Sequence, residues 1–394
     1  LKALDAPIRK YYGAEVLREM RDTVKDIAAG DVGARTPMER AINHLRTGST
    51  IVGMGWRFST AFLQPSGLAQ SWARIGGRWM AKGIAETFKN LNSASELVNS
   101  KSSLMKNRDI TMNREVRDVL DRIRTNEGLN AVTGSYFSLI GKMQRVVDIP
   151  TWLGAYEKAL HDLKLENAVS AEERAQIESD AVAMADQAVI DSQSGGQLKD
   201  LASIQRGHPG LKLFTNFYSY FSATYNLNIE ALRRTNFRSP TDLAFLAGDL
   251  ILLNIIPVLF ATALKEMTKG KCGDDLDCLV KSYGYEQAGY MFGQMILLRD
   301  MGSAALVAAG GDQYGYSGPA GLRFFSDLYK AGVQVNQGEL DWPLFKSLSN
   351  TTGVLLHLPT GQVNTTLEGI MAVENGDVEG VSILPALLFG PPKE

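Results

Sequence analysis

Apolar positions recur along the chain at spacings of three and four, the repeat that gathers side chains on one face of an α-helix, with polar and charged residues between them. Between Asn113 and Gly128, the residues Val116, Val119, Leu120 and Ile123 fall at that spacing, and Gly128 suits the left-handed position that follows a helix. Helix starts are also legible. In Thr36-Pro37-Met38-Glu39 a capping Thr precedes a first-turn Pro, and Glu39 stands where its carboxylate accepts from the free N–H of the cap. Ser170 and Glu173 repeat the device before an Ala-rich run, and Ser239-Pro240-Thr241-Asp242 opens the most apolar stretch of the chain. No series of alternating strands with hairpin turns competes with this pattern; short β-prone runs such as Val146-Val147 are bounded by helical ones. The pattern predicts an all-α, multi-helix assembly. No repeat of about 20 to 50 residues points to a solenoid.

Breaks in the pattern divide the chain. Residues 1–190 read as an N-terminal helical region and 191–210 (DSQSGGQLKDLASIQRGHPG) as a polar Gly/Ser linker. Residues 211–309 read as an aromatic and apolar helical region. The remaining 310–394 read as a Gly-rich loop (GGDQYGYSGPAG), where glycines and a proline interrupt any helix, followed by a C-terminal helical region ending in LPALLFGPP.

Residues 243–264, LAFLAGDLILLNIIPVLFATAL, number 22 and would make a helix about 33 Å long, enough to cross a bilayer. Thirteen strongly apolar residues favour insertion by about 4 to 8 kcal/mol, while Asp249 opposes it by about 2.5 to 3.5, with further penalties from Asn254, Pro257 and Gly248. The sum is marginal. The segment therefore reads either as a conditional membrane span or as a central core helix in which Asp249 needs a buried partner. Arg233, Arg234 and Arg238 before it and Lys265, Lys269 and Lys271 after it bracket both ends, so charge does not set an orientation. Just upstream, Phe214, Phe217, Tyr218, Phe221 and Tyr225 form a stripe on one helix face, either core or an interface with another subunit or lipid. The run at 51–79, with Trp56, Trp72, Trp79, small residues and a break at Pro65, favours close helix packing in a core.

Composition narrows the classes. With 394 residues, 45% hydrophobic and 21% charged, the chain reads as folded, neither disordered nor polytopic in a membrane. A net charge of −2 supplies no global attraction to nucleic acid. A start at Leu1 without Met suggests a processed product or, preferably, a piece of a longer protein. The two cysteines, Cys272 and Cys278, read first as two thiols in a turn, although their spacing permits a local disulfide after export.

Catalytic constellations do not emerge. His44, His161, His208 and His357 lie far apart in sequence, and no metal-ligand spacing includes them or the cysteines. GSYFSLIGKM at 134–143 departs from a P-loop in spacing, and Met143 stands where Ser or Thr is needed. Ser317 in Gly315-Tyr316-Ser317-Gly318 is one residue out of a nucleophile elbow. Glu172, Glu173 and Glu178 sit where caps and solvated helix faces want them, and the sequons at Asn350 and Asn364 carry no weight outside a secreted eukaryotic protein. The expectation is no catalytic, cofactor or metal site in this chain.

Five strings spread over most of the chain carry a resemblance: WRFSTAFLQPSGLAQS at 56–71, LKLFTNFYSYFSATYN at 211–226, YGYSGPAGLRFFSDL at 314–328, LLHLPTGQVNTTLEGI at 355–370 and LPALLFGPPK at 384–393. Together they resemble the C-terminal region of the giant multi-domain virion proteins of tailed bacteriophages and prophages, the internal core and DNA-ejection proteins of short-tailed phages among them. The tail is similar to a Pro-Leu-x-Arg-Phe-Gly motif, matched at Pro385, Phe389 and Gly390, with Ala386 and Leu388 in place of the motif Leu and Arg. The resemblance implies a protein packed in the capsid near the portal, ejected with the genome, and assembled with its own copies and other ejection, portal and tail proteins into a conduit across the host envelope. It further implies the host inner membrane as a partner and DNA as translocated cargo without sequence-specific binding. An internal scaffold that stays in the particle, or the carrier region of a delivered enzyme, are the alternatives. On the conduit reading, residues 211–309 help form or anchor its inner-membrane end, with oligomerisation covering Asp249 and Asn254.

Overall fold

The computed structural model describes residues 4–29, 36–108, 134–196, 218–270, 275–295, 320–338 and 340–392, with short pieces and single positions between them. Its elements are helices, and among the described residues there is no strand, so the chain is all-α as the pattern predicts. Apart from single-turn pieces such as Ser103–Lys106 and Ser203–Arg206, in chain order they are α1 (Asp5–Tyr12), α2 (Ala14–Ala29), α3 (Pro37–Met54), α4 (Phe58–Leu63), α5 (Leu68–Ile75), α6 (Gly77–Lys89), α7 (Leu91–Lys101), α8 (Ser138–Asp162) and α9 (Ala171–Gln193). There follow α10 (Tyr218–Arg234), α11 (Pro240–Lys269), α12 (Leu276–Gly293), α13 (Ala320–Gln337), α14 (Trp342–Leu356), α15 (Thr360–Glu374) and α16 (Ile383–Phe389). The helix expected at 113–128 and the loop expected at 310–321 fall largely outside the described residues.

The local signals land where they were read. Thr36 and Glu39 close a complete capping box at the start of α3, and the Ser170 hydroxyl accepts from the Glu173 N–H at 3.0 Å ahead of α9. Glu178 pairs with Lys101, so these carboxylates serve caps and helix faces. The P-loop look-alike at 134–143 is the lead into α8, with Gly141 and Lys142 inside the helix, where their backbone groups belong to helical hydrogen bonds and not to a phosphate cradle.

At the centre lies α8. It carries Pro150 in its interior, which removes one backbone donor, and there α6 crosses it at backbone contact. A Cβ placed on Gly83 would stand 2.0 Å from the Pro150 carbonyl oxygen, and one on Gly154 would stand 2.4 Å from that of Trp79. Glycine at both positions is what lets these helices meet. Around the crossing Met80, Val98, Trp152, Ala185 and Val189 are buried in the largest apolar cluster. Trp152 stacks on Tyr156 and donates its indole N–H to Asp186 at 2.7 Å.

One side of α8 is polar and still buried. Arg108 and Asp148 form an ion pair at 2.8 Å with side chains 1% and 0% exposed. Gln144 donates to the other Asp148 oxygen at 2.8 Å, and Gln193 donates to the Gly67 carbonyl at 2.7 Å and to Ser71 at 2.9 Å. Thr151 completes the seam by donating to Ser71 at 2.7 Å. Four stretches of chain, at Arg108, α5, α8 and the end of α9, are thereby fixed in one register. Helix α9 runs on to Gln193, into the segment read as a linker, because Ser192 and Gln193 belong to this interior.

The regions read separately from the sequence pack on one another through the 51–75 run. Gln70 donates to Thr224 of α10, Arg74 bridges Asp191 and Glu230, and Arg57 donates to the Gly361 carbonyl at 2.9 Å and to Thr365 at 2.6 Å. Pro65 falls in a short 3₁₀ turn at Gln64–Gly67, the break expected there.

Asp148→Ala leaves a buried guanidinium without its carboxylate and should lower unfolding stability by about 3–5 kcal/mol, read as a shift of the urea midpoint. Gly154→Ala and Gly248→Ala should act with opposite sign: the first forces α6 off α8, costing about 1–3 kcal/mol. The second adds a methyl to an exposed helical position that meets nothing within 4 Å and should stabilise by about 0.5–1 kcal/mol.

Candidate functional site

Helix α11 departs from the surrounding fold. Ser239 caps it by accepting from the Asp242 N–H at 3.3 Å, Pro240 occupies its first turn, and Gly270 ends it in the left-handed conformation with φ 57°. Its 30 residues make a rod of about 45 Å, and only 28% of its most apolar window is buried. Phe245, Ile251, Leu259 and Met267 stand 69%, 50%, 47% and 82% exposed. Soluble helices turn such residues inward; here they face out.

Its polar atoms face in. In mid-helix, Ile251–Ile255 form a π-helical turn directly before Pro257. Proline has no N–H for the carbonyl four residues earlier, that of Leu253, and the widened turn leaves carbonyls open to neighbours. Tyr290 of α12 donates its hydroxyl to the Leu253 carbonyl at 2.9 Å, and Gln287 donates to the Asn254 carbonyl at 3.1 Å. The Asn254 side chain donates to Asn228 of α10 at 2.9 Å and to the Leu250 carbonyl at 3.0 Å, while its oxygen accepts from Gln294 at 2.9 Å. Asp249 pairs with Arg234 of α10, and Lys265 with the nearly buried Glu286 of α12 at 3.1 Å. Helices α10 and α12 thus take up the charged and amide groups of the apolar helix and leave its hydrocarbon side to the exterior.

This places the residues singled out from sequence. Asp249 and Asn254 were expected to be covered by neighbouring subunits; both find partners within the chain, because α10 folds back against α11. Pro257 is buried at the π turn. From the aromatic stripe, Tyr218 and Phe221 pack with Val258 and Tyr290, and the Tyr218 hydroxyl donates to the Gln294 carbonyl at 2.9 Å. Tyr225 is exposed, and Phe214 and Phe217 lie outside the described residues. The tail motif packs: Phe389 meets Phe62 edge-on at 5.7 Å between centroids, and Gly390, at φ 90°, turns the chain off the end of α16. Sequence reasoning missed Asn228, Gln287, Tyr290 and Gln294. A signal existed, since Tyr283, Gln287, Tyr290 and Gln294 recur at helical spacing along one face of α12.

Cys272 and Cys278 are joined in a disulfide, which corrects the reading as two thiols. The chain reverses between α11 and α12, bringing their Cα atoms to 5.4 Å, and Asp275 caps α12 by accepting from the Asp277 and Cys278 N–H groups. Two of the dispersed histidines also meet: His44 and His357 lie 4.3 Å apart between ring centroids, each with Nε2 against a backbone carbonyl near the other. They tie α3 to α14. Among the described residues no group of three His, Cys, Asp or Glu gathers in metal-binding geometry. Gly315-Tyr316-Ser317-Gly318 lies outside the described residues.

Comparison of the chain with known families, characterised proteins and solved structures gives no match.

The amide cluster is open to a double-mutant cycle. Asn254→Ala takes away the donor to Asn228 Oδ1 and the acceptor of Gln294 Nε2 and should cost about 1–3 kcal/mol. Because Asn228→Ala removes the other half of the same interaction, the double variant should cost measurably less than the sum, by about 0.5 kcal/mol or more in urea unfolding.

Proposed function

We propose that this chain is the C-terminal segment of a large internal virion protein of a tailed phage, packed near the portal, released with the genome, and helping to form a conduit across the host envelope. The observation that carries the reading is α11: a helix of 30 residues with its apolar side outward and its polar atoms held by the helices beside it. At about 45 Å it exceeds the roughly 30 Å hydrocarbon core of a bilayer. Pairing of Asp249 with Arg234 and of Asn254 with Asn228 and Gln294 lowers the penalties that made insertion marginal. The resemblance of the 56–71, 211–226, 314–328, 355–370 and 384–393 strings supplies the phage context.

In this role the segment contributes binding and insertion, and any catalysis belongs to other parts of the protein. Its partners are copies of itself, the other ejection proteins, portal and tail components, and the host inner membrane, with DNA passing as cargo. Its place changes from virion interior to the periplasm and inner membrane. An internal scaffold would instead remain with particles after DNA release, so a protein gel of full and emptied virions should show this chain lost from the emptied ones.

The membrane step has its own test. The purified chain should float with vesicles of phosphatidylethanolamine and phosphatidylglycerol. Leu259→Asp, at an exposed position, should leave the unfolding free energy within about 0.5 kcal/mol of the parent. It should lower membrane partitioning by about two orders of magnitude, following an insertion penalty of about 2.5–3.5 kcal/mol. Absence of flotation by the parent chain would remove the membrane role.

A further inference from the structure

We infer that α11 crosses the membrane in one orientation, with the Cys272–Cys278 turn on the oxidising face and the Arg233–Arg238 turn on the reducing face; this rests on the membrane reading above. Basic residues at both ends leave the orientation open by charge, and the disulfide closes it. A disulfide persists in an oxidising compartment and is reduced in a cytosol. This one closes the connection from the Lys269 end of α11 to α12. Beside it, the Glu266 carboxylate accepts from the Cys272 N–H at 3.0 Å and Asp275 caps α12, so the reversal is held at both ends. At about 45 Å the helix is long enough to hold this turn in the headgroups of one leaflet while its other end reaches the opposite one.

The other end has the composition of a reducing, inside-negative face. Residues 233–238 read RRTNFR, three arginines with no acid between them and Glu230 and Asp242 to either side; Arg234 is held by Asp249, and Arg233 and Arg238 are exposed. The lysines at the disulfide end are instead interleaved with Glu266, Asp274, Asp275 and Asp277, and Lys265 is held by Glu286. A membrane potential negative inside draws the arginine turn across and has less hold on the mixed-charge turn. The chain that arrives from the oxidising side therefore keeps its disulfide where it landed and passes the Arg233–Arg238 turn through.

The full chain, added to preformed phosphatidylethanolamine–phosphatidylglycerol vesicles with an imposed inside-negative potential, tests this with two probes. The first is a membrane-impermeant phosphine with a maleimide polymer, which reports Cys272 and Cys278; the second is trypsin, which reports the bond after Arg238. Expected is labelling of both thiols from outside, resistance of the Arg238 site to external trypsin, and its cleavage by trypsin sealed within. Thiols reached only after detergent, with Arg238 cut from outside, would overturn the orientation while leaving the membrane reading intact. Both sites reached from outside on floating vesicles would show a helix lying on the surface and would overturn the crossing. A chain that does not float at all fails at the earlier, separate step.

Discussion

Arg108 and Asp148 meet out of contact with water, and the register of the central helix depends on how that pair is completed. Two buried charges lose hydration worth several kcal/mol each, and their attraction offsets more of this the more of the remaining donors and acceptors are also satisfied. Here Gln144 holds the second Asp148 oxygen and Arg108 reaches the Gln193 carbonyl at 3.4 Å, which leaves the buried Arg108 Nη1 as the guanidinium nitrogen without a partner among the described residues. Gln193 in turn binds the backbone of Gly67 and the side chain of Ser71. An apolar core of similar size tolerates small slips between helices; a chain of specific donors and acceptors does not. The close glycine crossing of α6 on α8 needs that fixed register, because a shift by one residue would put a side chain where Gly83 or Gly154 now meets backbone.

The same logic, turned around, governs α11. There the helix keeps its polar atoms toward its chain neighbours and its apolar side outward, and each irregularity has an identified partner. Pro257 removes the N–H that Leu253 would have used; Tyr290 supplies a hydroxyl in its place. The π turn opens the Asn254 carbonyl; Gln287 takes it. Both donors come from α12, whose position is set by the disulfide-closed reversal after Gly270. The irregular turn, the proline and the second helix are therefore one device.

What could be read from sequence followed the range of each interaction. Helix class and the caps at Thr36, Ser170 and Ser239 depend on residues within a few positions of one another, and they were legible. Asp249, Asn254 and Pro257 stood out because they break an apolar run, yet their partners did not. Arg234 lies 15 residues from Asp249, and Gln294 lies 40 from Asn254, with nothing local to connect them. The polar seam was illegible for the same reason: Gln144, Gln193 and Ser71 each look like ordinary surface residues until three helices are brought together. The Gly/Ser composition of 191–210 suggested a linker, but composition does not say that Ser192 and Gln193 are hydrogen-bonded in the interior.

On the proposed role, the pairings also decide what unit would enter lipid. If α11 left its neighbours and inserted alone, Asp249 would carry about 2.5–3.5 kcal/mol of penalty near the bilayer centre, and the carbonyls at Leu253 and Asn254 would lose their donors in hydrocarbon, where no water replaces them. Moving with α10 and α12, it keeps Arg234 on Asp249, Asn228 and Gln294 on Asn254, and Tyr290 on Leu253. The contacts to be broken are then those that tie this three-helix unit to the rest of the chain: Gln70 with Thr224, Arg74 with Glu230, Leu227 and Leu253 against Ala73, and the packing of α10 on α9 and of α11 on α4, α5 and α16. One of them, Arg74 with Glu230 at 3.8 Å, is a partly exposed pair of the kind worth about 1 kcal/mol or less. On the proposed role, moving the three helices together keeps the polar pairs that extraction of α11 alone would break.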